Sequence, residues 1–452
     1  MKQIFEPRTV ALIGASRDEL SVGHGIIKNL IYGGVFKTQY NIPFKGKTYL
    51  VNPNAKSILG LKCYPSILNI KSRIDLAIIA VPASFVPSIV KDCIKKKVKG
   101  IIVISAGFSE TGPKGRKLQE QILKDVTKAN IPLIGPNCLG IINTKHINAS
   151  FAPSTPPQGH IGFITQSGAL ADSIIDWAIE KNYGFSKIIS VGNSASKDVS
   201  DFISYLAKDK DTKSITIYLE ALNNGKKFMQ AVKKCKKPIV ILKGGKTDFG
   251  KEAITTHTGT LAGSYKVYNA AFKQLGITIV EDIESLFLYA KLLSEFKKIK
   301  NNIAIITNGG GCGVVTADLC SAEGINLAKL SPSTLQKLDA SGKMHPAYSR
   351  SNPLDIIGDA LSIRYKTALD CVLSQKNISA AIVIQTLQTM TDPVENAKVI
   401  VKLKKKYPKK PIIALFMGGK FTKAGKHYLE IYNIPVFEFP NKAVKALKAL
   451  IK

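Results

Sequence analysis

Short, unbroken apolar runs rich in Val and Ile recur along the chain, and most are followed by a stretch of helical length. The runs are Val10–Ile13, Thr48–Val51, Leu76–Val81, Gly100–Ile104, Ile131–Ile134, Ile161–Thr165, Ile188–Val191, Ile215–Leu219, Ile239–Lys243, Ile303–Thr307, Ala380–Gln385 and Ile412–Met417. A strand covered by helices on both faces reads as a continuous apolar run, because neither of its sides meets water. Segments between the runs, such as Phe85–Lys95 and Lys114–Ala129, are long enough for helices. This alternation predicts an α/β protein built on parallel sheets. No tight repeat of about 20–50 residues is visible, which excludes a solenoid.

Two stretches break the pattern. Phe151–His160 (FAPSTPPQGH) carries three prolines and Gly159, which sustain neither helix nor strand. Lys297–Asn302 (KKIKNN) is a polar gap before a new apolar run. At roughly 150 residues per domain, the 452 residues suggest three domains. We place them at 1–148, 149–298 and 299–452. Each opens with a strand, a turn of small residues and a helix: Ala11–Ser16, Phe163–Gly168 and Ile306–Gly313.

Composition adds one unusual feature. Lys plus Arg is 64 and Asp plus Glu is 32, a formal net charge of +32. Only Arg8, Arg17, Arg73, Arg116, Arg350 and Arg364 are arginine, so the excess is lysine. The lysines are dispersed in short groups, without a zinc-finger, RNA-recognition or basic-zipper pattern. Solvated faces, polyanionic small molecules and an acidic partner chain fit them better than nucleic acid. The best apolar stretch, Ile78–Val90, is broken by Pro82 and Pro87, and the start lacks the layout of a signal peptide. The expectation is a soluble cytoplasmic protein without membrane association. Seven cysteines without CxxC spacing read as reduced thiols and offer no metal site.

Ligands of open parallel sheets bind outside the carboxyl ends of the strands, and the unusual residues fall there. Gly14-Ala15-Ser16-Arg17 follows the first run without forming GxGxxG, which disfavours dinucleotide oxidoreduction. It is either a tight turn or a phosphate cradle of backbone N–H groups. The second run ends in Asn52-Pro53 instead of the acidic residue that holds a ribose, and Lys56 follows, favouring an anionic nucleotide. Ser105-Ala106-Gly107 and Gly135-Pro136-Asn137-Cys138 follow later runs. Ser167-Gly168 and Gly310-Gly311 open helices whose N-termini suit an anion.

His24, His146, His160, His345 and His427 sit singly beside loop residues and read as surface histidines. His257 differs, because it lies in a long Gly/Thr stretch after Ile239–Lys243 that reads as a mobile loop. Neutral imidazole is a nucleophile near neutral pH, and Glu220, at the end of the neighbouring strand, is placed to orient it. The alternative is a solvated histidine and an edge glutamate.

The runs ALIGAS, YLVNP, AVPAS, ISAGFSE, IGPNCLG, ITQSGAL, SVGN, YLEAL, LKGGK and THTGTLAGS, in this order, resemble the NDP-forming acyl-CoA synthetase superfamily. That superfamily includes succinyl-CoA synthetase, and the pattern is most similar to the α subunit of ADP-forming acetyl-CoA synthetases. The resemblance spans essentially the entire chain. It implies a Rossmann-like CoA-binding domain followed by two flavodoxin-like ligase domains, the first bearing a phosphohistidine. Residue by residue, it implies that His257 is the phosphohistidine and Glu220 its supporting carboxylate. Asn137, Ser167, Gly168, Gly310 and Gly311 would bind phosphate, and Gly14, Ser16, Arg17, Asn52, Pro53, Lys56, Ser105 and Gly107 would border CoA. The chain departs from the family pattern after Asn-Pro, where Asn54 replaces a lysine and Lys56 comes two residues later.

The implied reaction turns acyl-CoA, phosphate and ADP into acid, CoA and ATP, with acetate the leading acid. ADP or ATP, with Mg2+, would sit on a separate ATP-grasp β subunit in an α2β2 assembly. Other classes consistent with the residues are a non-catalytic acyl-CoA sensor, a succinyl-CoA synthetase-like ligase for another acid, and a basic nucleic-acid-binding protein.

Overall fold

The computed structural model describes residues 1–258 and 263–451, with side chains for 1–255 and 263–451. It divides into two compact units, Met1–Leu286 and Phe287–Lys452.

The first sheet of unit one contains β1 (Thr9–Ile13), β2 (Lys47–Val51), β3 (Ser57–Ile58), β4 (Leu61–Tyr64), β5 (Leu76–Ile79), β6 (Gly100–Val103) and β7 (Leu133–Ile134). Their order is β3-β4-β2-β1-β5-β6-β7. Only the short β3 is antiparallel. The six parallel strands therefore run 3-2-1-4-5-6, the order of a dinucleotide-binding Rossmann sheet. The order reverses between β1 and β5, and the crevice such a reversal opens lies outside their carboxyl ends. Gly14 makes the first turn there with φ +95°, and a Cβ on it would stand 2.2 Å from the Ala80 carbonyl oxygen. Gly14→Ala is expected to destabilise the chain by more than about 1 kcal/mol in a denaturant titration. An unchanged midpoint would show that the turn relaxes.

The second sheet contains β8 (Gly140–Asn143), β9 (Ile147–Ser150), β10 (Gln158–Thr165), β11 (Phe185–Ser190), β12 (Ser214–Leu219), β13 (Ile239–Lys243) and β14 (Thr278–Val280). Its order is β14-β13-β12-β10-β11-β8-β9. The five strands β10–β14 are parallel in the flavodoxin-like order 2-1-3-4-5. The hairpin β8–β9 adds to them antiparallel, with Ile142 opposite Ile188 and Ile141 opposite Ile189. The sequence division at 148/149 thus falls inside β9. Ile141, Ile142, Ile147 and Ala149 are all buried, so the hairpin closes the β11 edge rather than ending the first domain. Asn29, in the helix after β1, donates to the carbonyls of Ser150 (2.7 Å) and Ala152 (2.9 Å). One apolar core runs through both sheets.

Unit two contains β15 (Ile303–Thr307), β16 (Leu354–Asp355), β17 (Ala380–Gln385), β18 (Ile412–Phe416) and β19 (Val436–Phe437). All are parallel, in the order β16-β15-β17-β18-β19, again 2-1-3-4-5. Its core gathers Ile306, Tyr365, Leu369, Val383 and Phe416 among others. The expected α/β class, one Rossmann-like sheet followed by two flavodoxin-like sheets, is the architecture observed. Among the described residues no helix is long and apolar enough to cross a membrane.

Candidate functional site

A cavity of about 530 Å³ opens where the strand ends of the first sheet face the helix that follows β10. Ala80–Pro82 and Ile104–Ala106 come to it from β5 and β6, Asn137–Leu139 from the linker before β8, and Gln166–Ala169 from the start of helix Gly168–Lys181. Ser105, Asn137, Ser167 and Gly168, nominated from sequence, meet here. The Ser167 hydroxyl caps the helix by accepting from the Leu170 N–H at 3.3 Å. The remaining first-turn N–H groups carry the partial positive charge of a helix start, which suits a phosphate. Cys138 is buried in the wall, and burial pushes its thiol up to about 12. It stays neutral and is a wall, not a nucleophile.

The residues nominated for CoA fall in two places. Asn52 Nδ2 donates to the Ala15 carbonyl at 2.7 Å, and its Oδ1 accepts from the Asn54 N–H at 2.8 Å. Arg17 Nη2 donates to the Asn54 carbonyl at 3.2 Å. These bonds pin Gly14, Ser16, Arg17, Asn52 and Pro53 at the ends of β1 and β2, with Lys56 exposed on the same bend. None of these six lines the cavity. His24, expected at the surface, is instead buried, because its Nδ1 lies 3.0 Å from the Ser16 carbonyl under the turn. Ser105 and Gly107 stand apart, after β6.

At the end of β12, Glu220 is buried. Gln166 clamps the chain there: its Oε1 accepts from the N–H of Glu220 (2.6 Å) and Ala221 (3.0 Å), and its Nε2 donates to the Ala221 carbonyl (2.9 Å). Tyr218 hydrogen bonds to the Glu220 carboxylate, and its hydroxyl is pushed up to about 12 by burial first and by Glu220 second. Lys243 Nζ, also buried, donates to the Glu220 carbonyl at 2.7 Å and to the Gly244 carbonyl. Burial pushes Lys243 down to about 8, against the opposing pull of Glu220. The stretch holding His257 is not a loop up to residue 258: Asp248–Thr258 is helical, and it lies against the turn Ser109–Thr111. The His257 side chain lies outside the described residues.

Sequence reasoning missed a polar network beside this cluster. Asn193 Nδ2 donates to Ser109 Oγ (3.2 Å), Gln119 Oε1 (3.0 Å) and the Glu110 carboxylate, while its Oδ1 accepts from Asn137 Nδ2 (3.3 Å). Burial pushes the Glu110 carboxyl up, but bonds from Asn193 and from the N–H groups of Phe108 and Gly107 outweigh it and hold it below its ordinary value. The network joins the strand ends of the two sheets. In the sequence, Asn193 and Asn137 stand two and three residues after an apolar run, while Ser109, Glu110 and Gln119 carry no such signal.

Residues 8–144 match the family described as CoA binding domain, 158–293 the succinyl-CoA ligase like flavodoxin domain, and 303–451 the ligase-CoA domain. The chain is 38% identical to the acetate–CoA ligase [ADP-forming] II subunit alpha of Pyrococcus furiosus, over 99% of its own length and 96% of that protein. The chain belongs to the NDP-forming acyl-CoA synthetase superfamily. It is also 41% identical to acetate–CoA ligase [ADP-forming] I of Archaeoglobus fulgidus, but spans 63% of that longer protein. The same share, 63%, holds for the relative from Methanocaldococcus jannaschii. Among solved structures, the dinucleotide-forming acetyl-coenzyme A synthetase 1 of Ca. Korarchaeum cryptofilum, in complex with phosphate and ADP, superposes with a TM-score of 0.92 at 33% identity. The match covers 99% of this chain and 96% of that one.

This synthetase-superfamily chain carries its helix-start cradle twice. In unit one, Thr165 Oγ1 donates to the Ser167 carbonyl (2.9 Å) and accepts from the Ser167 N–H (3.0 Å). In unit two, Thr307 Oγ1 does the same for Gly309 (2.9 and 3.0 Å), just before helix Gly310–Ala322. The amide that follows each threonine clamps the next strand end. Gln166 holds residues 220–221, and Asn308 accepts from the Thr386 N–H at 2.8 Å and donates to its carbonyl at 3.0 Å. Gly310 and Gly311 therefore open the counterpart of the helix that Gly168 opens.

Proposed function

We propose that this chain is the α subunit of an ADP-forming acyl-CoA synthetase, with acetyl-CoA the leading substrate, working in the cytoplasm. The three sheets support its division into a CoA-binding domain and two ligase domains. The observation that carries the reading is the cavity between the strand ends of the Rossmann-like sheet and the Ser167–Gly168 helix start. A thioester brought in from the CoA side would meet phosphate held by backbone N–H groups.

Phosphate attacks the thioester carbonyl, the carbon–sulfur bond breaks, and acyl phosphate and CoA result. His257 then attacks phosphorus and the carboxylate leaves, giving the acid and phosphohistidine. Glu220 steadies the positive imidazole while the bond forms. The phosphoryl group passes to ADP, bound with Mg2+ on an ATP-grasp β subunit in an α2β2 assembly. Gly310 and Gly311 offer it a second helix start. Arg17 and Lys56 meet the CoA phosphates, with Gly14, Ser16, Asn52, Pro53, Ser105 and Gly107 bordering the rest of the molecule.

Calorimetry on the full chain tests this: CoA should bind at moderate salt. Reversing Lys56 to Glu should weaken binding by about 1–3 kcal/mol. A chain that ignores CoA would overturn the reading, and an unchanged affinity in Lys56→Glu would move the phosphate contact elsewhere.

A further inference from the structure

The duplicated cradle contains an internal comparison. Strand registers align the two copies residue by residue. Thr165 pairs with Tyr218 and Leu219 with Lys243 in one copy, while Thr307 pairs with Ile384 and Gln385 with Phe416 in the other. Tyr218, Glu220 and Lys243 thus correspond to Ile384, Thr386 and Phe416. The threonine hook, the amide clamp and the helix start persist where the phenol, the carboxylate and the ammonium are replaced by Ile384, Thr386 and Phe416. The cradle therefore folds without a buried cation at this register, and Phe416 fills the place fully buried.

A buried ammonium is costly unless it is paired and hydrogen-bonded, and an apolar side chain of similar volume is often no less stable in its place. Lys243 is 1% exposed. Its Nζ donates at 2.7 Å to the carbonyl of Glu220, and also to that of Gly244. It lies 4.7 Å from the centre of the Tyr268 ring, whose hydroxyl in turn accepts from the Leu222 N–H at 3.1 Å. The groups around Glu220 are Tyr218 on its own strand, Lys243 on β13, Gln166 from the helix start and Asn193 from the end of β11, the last bonded to the Glu110 carboxylate. Lys243 is the one cation among these described neighbours.

We propose that Lys243 is a positioning residue for Glu220, fixing the strand end that carries it and keeping its carboxylate charged to receive a positive imidazole. This rests on the role given to Glu220 above. Tyr218 shares the task by donating to the carboxylate itself. The unit-two copy, lacking a carboxylate at residue 386, has no use for the cation and carries an aromatic ring in its place.

The test is label uptake by the full chain from acyl-CoA and labelled phosphate across pH, for Lys243→Met, Lys243→Gln, Lys243→Phe and Lys243→Arg. Gln keeps a donor without the charge, and Phe is the side chain the sister copy already accommodates, so a folded neutral variant is available. CoA affinity and the melting temperature report the fold of each. The neutral variants should take up label at least about 10-fold more slowly. Their acidic limb should move up by about one pH unit, because an adjacent cation favours the charged carboxylate. Arg should restore the rate and return the acidic limb to its wild-type position, since it keeps a cation beside the carboxylate. Neutral variants that label at the wild-type rate, or that only melt earlier with an unmoved limb, would overturn the proposal. A wild-type chain that binds CoA but takes no label would instead sink the phosphohistidine reading.

Discussion

A His257→Asn chain should take up no phosphoryl group from acyl-CoA and phosphate, while the wild-type chain acquires an acid-labile, base-stable label. The loss should be complete, because the asparagine amide is no nucleophile and offers no nitrogen to form the phosphorus–nitrogen bond. CoA affinity should stay intact, since the residues assigned to CoA stand at the ends of β1, β2 and β6. Glu220→Gln should keep its backbone held by Gln166 and slow the transfer by on the order of 100-fold, through loss of a charge aimed at the developing imidazolium. The readout is acid- and base-stability of the label followed by peptide mapping. Label persisting in His257→Asn would place the carrier elsewhere.

The parts of this site that were legible in the sequence are those that rest on local pattern. Runs such as Ile215–Leu219 and Ile303–Thr307 are strands because both faces are covered, and that shows as unbroken hydrophobicity. Ser167-Gly168 and Gly310-Gly311 follow such runs directly, so their helix starts were readable too. The strands that escaped notice are short or lie at edges: β3 and β4, the hairpin β8–β9, and β14, β16 and β19. Two to four residues carry little periodic signal, and the hairpin pairs with residues 44 to 48 positions later. The polar network at Asn193 and the Lys243–Glu220 contact bring together residues 23 to 84 positions apart. Single-sequence patterning has no term for such contacts. His24 was misplaced for the same reason, since the carbonyl that buries it belongs to a turn eight residues earlier. The Asp248–Thr258 helix was hidden by its glycine and threonines, which have weak helix propensity.

The second large effect concerns the transfer of the phosphoryl group to ADP. The purified chain should bind CoA yet form no ATP from acetyl-CoA, phosphate and ADP. Adding an ATP-grasp subunit of the same synthetase should restore turnover. No GxxxxGK[ST] loop occurs in the sequence, and the parallel strands of the three described sheets run in the orders 3-2-1-4-5-6 or 2-1-3-4-5. The longer relatives from Archaeoglobus fulgidus and Methanocaldococcus jannaschii named above each leave 37% of their length unmatched, the complement of the 63% this chain spans. With a net charge of +32, its association with an acidic partner should weaken as salt rises. Luciferase-coupled ATP detection decides the matter: sustained ATP synthesis by the chain alone would refute the two-subunit reading.

The hairpin Gly140–Ser150 limits how this polypeptide can be cut. Removing everything after residue 148 would strip β8 of its β11 ladder and split β9. Ile141, Ile142 and Ile147 would lose their cover, and the fragment would carry a sticky β-edge that invites aggregation. The complementary fragment would expose β11 in the same way. A limited-proteolysis or gene-dissection strategy that cuts at 148 therefore leaves an open strand edge on both fragments.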